Sequence, residues 1–270
     1  MRRRFSPLIS QKIKLKNMEI EKYNLYDGEI NLEFDPKNHI YRIGDRIVYG
    51  VTSIVNVIGK PALIYWAVNQ CIDNLKSIWE AGKSYDEIEI LNILTTAKNI
   101  HTEKKNQSAT IGDLAHKWIE DYIKAKIEGT NTPTIPVNKQ LENSINAFLK
   151  WEKENKVEWL ESEKKIYSKQ YDYAGTLDAE AKVNNELSII DFKTSNGIYD
   201  EYFLQVAAYI QARKEETGND YKMAYIVRIG KDGELEVKEL DNFDKHLRVF
   251  LGALEIYKWQ QDLRTEKINK

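Results

Sequence analysis

The sequence predicts an α/β (α+β) fold in which a mixed central β-sheet is flanked by helices, with an N-terminal helical elaboration. Three observations predict it. Hydrophobic side chains recur at helical spacing in segments 108–128 and 200–216. Between and after these segments, apolar and polar side chains alternate, as in strands with one buried face. At least two strand pairs are joined by short turns. The predicted central order is helix, three strands, helix and strand, with an extra helix before the first strand.

Length and composition favour one folded chain. The chain has 270 residues, 42% of them hydrophobic, which suffices for a substantial core. The net charge is −2, so nucleic-acid binding would have to come from local patches rather than from a global basic field. The single cysteine, Cys71, excludes a disulfide framework and a four-cysteine metal site within one chain. We expect a cytoplasmic location and no membrane association, because no secretory signal or transmembrane segment is recognisable.

The chain is expected to begin with a basic arm. Residues 1–17 contain six basic residues and no acidic residue, and no periodic pattern follows until Ile30. We therefore predict that residues 1–17 are disordered, and Met18 is an alternative start. The predicted division is the arm at 1–17, a hairpin and helical elaboration at 18–105, and a catalytic core at 106–270.

The elaboration is predicted from turn and capping signals. Alternating segments on either side of Gly44-Asp45 indicate a hairpin. Thr52 or Ser53 can cap a short helix, and Pro61 can open a longer helix that ends near position 79. A further helix is expected at 84–100, separate from the helix at 108–128.

The segment Tyr173–Ser195 is predicted to form two antiparallel strands joined at Asn184-Asn185. Asparagine accepts the positive φ angles that a two-residue hairpin turn requires, and this turn fixes the register. In this register Asp178 lies directly opposite Asp191, with β-carbons about 5 Å apart, where like charges repel. The other face of the hairpin is expected to be apolar and to carry Leu177, Ala179, Ala181, Val183, Ile190 and Phe192.

A divalent cation would relieve the repulsion between these facing carboxylates. Lys193 points to the same face as Asp191, but one ammonium group cannot fully neutralise two carboxylates in a partly dry site. Hard oxygen ligands suit Mg²⁺ or Mn²⁺, whose remaining positions water and a substrate phosphate can fill. This arrangement suggests phosphodiester chemistry. The alternative is a solvated strand face with ordinary surface charges.

A third carboxylate is expected beside Asp178. The segment before Tyr173 reads as a strand, and a turn centred on Gln170-Tyr171 would place Glu163 opposite Asp178. Three carboxylates would then lie in a row across three adjacent strands. Glu161, on the same face, is the competing candidate if the connection is longer.

Two helices offer further polar side chains. In the helix at 108–128 a stripe of Ile111, Leu114, Ala115, Trp118 and Tyr122 is expected to face the core. His116 lies on the flank of this stripe with Gly112, whose missing side chain permits close approach. His116 is either a metal ligand or a partly buried structural histidine. In the helix at 200–216, Gln205 and Tyr209 are four residues apart and share a flank that could reach the carboxylates.

Taken in order, these segments resemble the motifs of RecB-type nucleases in the PD-(D/E)XK superfamily. The matching motifs are Gly112 with His116, Glu163, Gly175-Thr176-Leu177-Asp178, Asp191-Phe192-Lys193-Thr194-Ser195, and Gln205 with Tyr209. Val51-Thr52-Ser53 resembles, more weakly, a motif of relatives allied to phage and mitochondrial exonucleases. The resemblance covers about residues 108–210, and the chain departs from the members with four cluster-binding cysteines.

The resemblance implies a restriction-endonuclease-like core and a set of roles. His116, Asp178, Asp191 and the backbone carbonyl of Phe192 would hold Mg²⁺ or Mn²⁺. Asp178, Asp191, Lys193 and Glu163 would be catalytic, and Gln205 and Tyr209 would orient Lys193 or the DNA backbone.

The function expected from the resemblance is a metal-dependent DNA exonuclease in recombination, repair or phage DNA processing. DNA is the expected partner, and a recombination protein would be a second one. A DNA endonuclease and a catalytically idle nucleic-acid-binding module are the alternatives. A glycosidase also pairs two carboxylates, but the adjoining lysine fits a phosphate substrate better.

Overall fold

The computed structural model describes residues 20–230 and 232–268, and the side chains at 107–110 and 268 are outside this description. The predicted arm at 1–17 and the alternative start Met18 lie outside the described residues. The remaining residues form two compact units, one that ends at Val48 and one that begins at Tyr49. No described helix is long and apolar enough to span a membrane.

The first unit is an antiparallel meander. Its strands are β1 (Glu21–Leu25), β2 (Ile30–Asp35), β3 (Ile40–Ile43) and β4 (Arg46–Gly50), the last of which continues into the second unit. The predicted hairpin at Gly44-Asp45 is confirmed, since Ile43 pairs with Arg46 across that turn. The expectation that no regular element precedes Ile30 was wrong. Pairing with β2 stabilises β1, a strand too short to show a clear alternation by itself.

The second unit contains six helices and five further complete strands among the described residues. The helices are α1 (Val51–Val55), α2 (Pro61–Ile78), α3 (Glu87–Glu128), α4 (Lys139–Glu154), α5 (Asp200–Thr217) and α6 (Phe243–Ile268). The strands are β5 (Glu158–Ser168), β6 (Tyr173–Val183), β7 (Glu186–Lys193), β8 (Met223–Ile229) and β9 (Leu235–Leu240).

These strands form one mixed sheet in the order β5, β6, β7, β8 and β9. The β7–β8 pair is parallel and the other three pairs are antiparallel. Two core clusters cover its opposite faces. One contains residues of α1, α5 and α6, and the other contains residues of α3 and α4. The predicted fold class, a mixed sheet flanked by helices in the order helix, three strands, helix and strand, is confirmed, and α4 is the predicted extra helix.

Two predictions about helix boundaries were wrong. The helices expected at 84–100 and 108–128 are one continuous helix, because residues 101–107 contain no proline or glycine to interrupt the hydrogen-bond ladder. The predicted division at 105 falls within this helix. The second wrong prediction concerns the cap of α1. This helix begins at Val51 after Gly50, so Thr52 and Ser53 lie inside it and neither caps it.

The predicted apolar stripe of α3 was partly wrong. Leu114 is 50% exposed, whereas Ile119 and Ile123 on the predicted flank are each 1% exposed. The buried face is therefore rotated toward the side that carries His116. It packs on β5, β7 and α4, so His116 lies at the edge of the core rather than on an open surface.

A buried ion pair connects the sheet to α5. Arg213 and Glu180 are 5% and 4% exposed, and Arg213 Nε donates a hydrogen bond of 2.9 Å to Glu180 Oε2. Arg213 Nη1 donates a second hydrogen bond, of 2.7 Å, to Glu216 Oε2. Each charge of this pair is thus compensated within the fold.

We expect Arg213→Ala to lower the free energy of unfolding by about 3–5 kcal/mol, because it leaves Glu180 buried without its partner. Urea denaturation followed by circular dichroism measures the change. The double variant Arg213→Met/Glu180→Leu should recover most of the loss, and Lys150→Ala on the exposed face of α4 should have no measurable effect. Equal stability of Arg213→Ala and the native chain would contradict a structural role for the pair.

Candidate active site

The β5–β6 pairing shifts register between Trp159 and Glu161, and further along β5 it skips Glu163. Ser162 pairs with Ala179 and Lys164 pairs with Leu177, so Glu163 lies opposite Asp178, as the predicted register requires. Glu163 has a φ of +51°, in the left-handed region that side chains other than glycine seldom adopt. A local distortion of this kind redirects a side chain without ending the strand.

The distortion corrects one prediction about the hairpin faces. Leu177 packs in the cluster that contains Ile189 and the buried residues of α5, whereas Ala179 packs in the cluster of α3 and α4. Leu177 and Ala179 therefore face opposite sides, although strict alternation predicted the same side. The break in alternation falls at Asp178, and it lets this carboxylate reach α3.

Three side chains converge at this break. One ligand atom each from His116, Glu163 and Asp178 lies within 4.8 Å of the other two. His116 Nε2 is 3.3 Å from Asp178 Oδ2, and the same oxygen accepts a hydrogen bond of 2.8 Å from the backbone N–H of Phe192. The competing candidate, Glu161, instead forms an ion pair of 3.1 Å with Lys164. Glu163 is thus the glutamate beside Asp178.

Asp191 lies on the neighbouring strand. The pairs from Ala179 with Ile190 to Val183 with Glu186 confirm the predicted β6–β7 register, and Asn184 and Asn185 both have positive φ. Asp191 is completely buried, and its Oδ1 has no hydrogen-bond partner among the described residues. Its Oδ2 forms an ion pair of 2.5 Å with Lys193 Nζ.

The electrostatics of the site differ between its acids. Burial raises the pKa of Glu163 to about 7, with a further contribution from Asp178. Burial likewise raises the pKa of Asp191 to about 6, although Lys193 opposes this shift. Burial would also raise the pKa of Asp178, but His116, Lys193 and the backbone N–H of Phe192 together outweigh it and lower that pKa. Negative charge thus exceeds what the neighbouring cations neutralise.

The pKa of His116 is shifted by the same pair. Burial disfavours the charged imidazole, but Asp178 and Glu163 together outweigh burial and raise the pKa of His116 to about 9. His116 would therefore ligate a metal only after releasing a proton. As an imidazolium, His116 forms an ion pair with Asp178, which corresponds to the alternative interpretation of His116 as a structural histidine.

The donor set suits a divalent cation. It consists of carboxylate oxygens and one imidazole nitrogen, a combination compatible with Mg²⁺ or Mn²⁺. The buried Oδ1 of Asp191 lacks a donor, and a buried unpaired acceptor is costly unless a cation or a donor approaches it. The residues present therefore fit such an ion. The Phe192 carbonyl as a ligand stays a prediction.

Lys193 is held by a residue that sequence reasoning missed. Its Nζ lies 4.8 Å from the ring centroid of Tyr202, a cation–π contact. The Tyr202 hydroxyl donates a hydrogen bond of 3.2 Å to Ser195 Oγ. Tyr202 precedes Gln205 by three residues on α5, so its helical spacing was the available signal.

The two predicted residues of α5 form a pair with each other. Gln205 Nε2 donates a hydrogen bond of 2.6 Å to the Tyr209 hydroxyl, and Tyr209 is 2% exposed. Tyr209 packs on β6, where a β-carbon added at Gly175 would lie 2.9 Å from its ring. Their predicted role in orienting Lys193 or DNA stays a prediction.

The predicted close approach at Gly112 is present. A β-carbon at Gly112 would lie 2.4 Å from Thr194 Oγ1 and 3.1 Å from Thr194 Cβ. The missing side chain therefore lets α3 contact the segment that directly follows Lys193. His116 lies one turn further along α3, so this contact also helps to set the position of His116.

Comparison with known proteins identifies no family. No protein-family model matches the chain, and no curated protein matches it. Among solved structures, the alkaline exonuclease LHK-Exo from Laribacter hongkongensis aligns at 15% identity with a TM-score of 0.30, over 56% of this chain and 85% of the other. A candidate exonuclease from Eubacterium rectale aligns at 13% identity with a TM-score of 0.40, over 80% and 79%.

A further aligned structure, SSO0001, is 16% identical with a TM-score of 0.30, and the alignment covers 43% of this chain and 57% of the other. Every one of these TM-scores is below 0.5. The function is therefore argued from the geometry of the site rather than from these similarities.

We expect Gly112→Ala to reduce stability, because its new methyl group must displace the short, branched side chain of Thr194. Overpacking of this kind costs about 1–3 kcal/mol, which exceeds the helix-propensity gain of about 1 kcal/mol. The matched control is Gly252→Ala on α6, where an added β-carbon meets no atom within 4 Å and should stabilise the helix. Urea midpoints compare the two variants. A Gly112→Ala chain as stable as Gly252→Ala would show that the contact is not tight.

Proposed function

We propose that the chain is a metal-dependent deoxyribonuclease that hydrolyses phosphodiester bonds. The observation that carries the proposal is the buried Asp191 carboxylate, which has one oxygen without a hydrogen-bond partner among the described residues and lies beside Lys193. The His116–Glu163–Asp178 cluster supports it, because it supplies the other candidate ligands from the adjacent strand and helix.

His116, Asp178 and Asp191 would hold Mg²⁺ or Mn²⁺ with the Phe192 carbonyl, and Glu163 would lie beside them. When bound, the cation supplies Lewis acidity toward a phosphate oxygen and lowers the pKa of a bound water. The N–H of Phe192 fixes the Asp178 carboxylate, so that this acid needs little reorganisation when substrate binds.

Lys193 would act on the reacting groups rather than hold the cation. Asp191 raises the pKa of Lys193 although burial opposes this, so the side chain is a fixed positive charge. A fixed ammonium group beside the scissile phosphate stabilises the negative charge that develops during attack by water, and it can orient that water. The ring of Tyr202 restricts where this charge lies.

The proposed substrate is DNA, and the proposed mode is exonucleolytic. The resemblance of Val51-Thr52-Ser53 to an exonuclease motif supports this mode. So does the helical elaboration before the core, which could narrow access to a DNA end. We further propose a cytoplasmic role in recombination, repair or phage DNA processing, with a recombination protein as partner.

The proposal is tested with end-labelled linear DNA and covalently closed circular DNA. We expect cleavage of the linear substrate with Mg²⁺ or Mn²⁺, none with EDTA, and little cleavage of circles. Asp191→Asn should lower the rate at least ~100-fold, because it removes a charged ligand. Equal cleavage of both substrates would contradict the exonucleolytic mode and indicate an endonuclease. Cleavage that is unaffected by EDTA would overturn metal dependence.

A second experiment separates the roles of Lys193 and His116. Lys193→Ala should bind DNA nearly normally and cleave it at least ~100-fold more slowly, the scale of one lost electrostatic or acid–base group. Excess Mn²⁺ should not rescue it. His116→Ala should weaken metal affinity, so that raising the Mn²⁺ concentration restores part of its rate. Cleavage rates over a Mn²⁺ titration measure both effects.

The matched control is Lys182→Ala, a partly exposed lysine of β6 that pairs with Glu158 at 3.4 Å. It should cleave at the native rate. Full activity of Lys193→Ala would exclude the proposed mechanism. A His116→Ala defect that is independent of Mn²⁺ would return this histidine to a structural ion pair with Asp178.

A further inference from the structure

A cleft of about 500 Å³ opens beside the candidate site. It lies where the loop after β7, the first turns of α4 and the β8–β9 turn meet. Three amide side chains line it, from Gln140, Asn143 and Asn196. Its volume lies in the range of small-molecule sites.

The described residues of the β8–β9 turn, 230 and 232–234, contact α4 closely. Ser144 Oγ of α4 donates a hydrogen bond of 2.9 Å to the Gly230 carbonyl. Gly233 has a φ of +88°, and a β-carbon there would lie 3.2 Å from Asn143 Cβ. Arg228 Nε donates a hydrogen bond of 3.0 Å to Glu236 Oε2. The cleft is thus a largely preorganised surface.

The charges of the cleft disfavour a phosphate as its main occupant. Lys139 and Arg228 are cationic, but Asp232 and Glu234 also line the cleft and would repel an anion. Arg228 is already engaged by carboxylates, since its Nη2 also lies 3.6 Å from Glu234 Oε2. A neutral ligand with both donors and acceptors matches this lining better than an anion does.

The cleft adjoins the proposed site through the chain itself. Thr194 and Ser195 line it and directly follow Lys193. Because one residue spans at most about 3.6 Å, the Cα of Ser195 is no more than about 7 Å from that of Lys193. A nucleotide that neighbours the scissile phosphate can therefore reach the cleft.

We propose that this cleft receives the nucleobase of a nucleotide that neighbours the scissile phosphate. The inference rests on the proposed nuclease function. Amide side chains pair with base edges through a donor and an acceptor together, and carboxylates accept hydrogen bonds from exocyclic amino groups. The cleft then gives the enzyme a base preference at one position near the cut.

The first test is cleavage of a linear DNA pool of random sequence with Mg²⁺, with the products sequenced. The native chain should favour one base over another by at least about fivefold at one position, the effect of one well-placed pair of hydrogen bonds. Gln140→Ala and Asn143→Ala should reduce that preference. The matched control Asn146→Ala, an exposed amide of α4 outside the cleft, should retain it.

The second test needs no catalysis. The native chain in EDTA is titrated with deoxyadenosine, deoxycytidine, deoxyguanosine and thymidine, which carry no phosphate. Amide NMR signals of Thr194, Ser195 and Gly230 should shift with at least one nucleoside, and less in Gln140→Ala than in Asn146→Ala. No shift together with uniform cleavage of the pool would overturn the base subsite and leave the nuclease intact. Shifts without any DNA cleavage would support the subsite and overturn the proposed function. Absence of both would overturn both.

Discussion

The candidate site depends on holding three carboxylates together where water is largely excluded. Burial favours the neutral form of every such acid, and the neighbouring cations decide which acids ionise. His116 lowers the pKa of Asp178, whereas the pKa values of Glu163 and Asp191 stay raised. An added divalent cation would favour ionisation of both remaining acids. The uneven neutralisation of these three acids is therefore the physical basis for the proposed metal site.

The same strand provides an internal comparison. Glu180 lies two residues after Asp178 and is 4% exposed, and Arg213 donates hydrogen bonds to it and to Glu216. In that network opposite charges satisfy one another, as expected of an ion pair that connects α5 to the sheet. Asp191, by contrast, keeps an oxygen without a hydrogen-bond donor among the described residues. Burial alone does not distinguish a structural acid from a candidate functional one. The distinction lies in whether every buried carboxylate oxygen has a hydrogen-bond donor.

Local chemistry explains which parts of the fold were predictable. The β6–β7 register, and the β5–β6 register from Glu161 to Ser168, were predicted correctly because turn residues and alternation fix them within a few positions. The opposite side of Leu177 was missed, because a left-handed glutamate at position 163 has no compositional signal. The unbroken α3 was missed because a polar stretch without proline or glycine was taken for a boundary. The cleft depends on contacts between distant segments, which no single pattern encodes, whereas the spacing of Tyr202 and Gln205 on α5 was an available signal.

The glycines of the motifs have a packing role that complements the polar residues. Gly112 lets α3 approach Thr194, and His116 lies one turn further along the same helix. Gly175 lets Tyr209 approach β6, three residues before Asp178. In both cases an added β-carbon would push away the neighbouring side chain, Thr194 or Tyr209. Each glycine is therefore needed at a fixed spacing from the polar residue of its motif, because two packed elements must approach each other there. For this reason, motifs that are weak individually become informative when they occur in order.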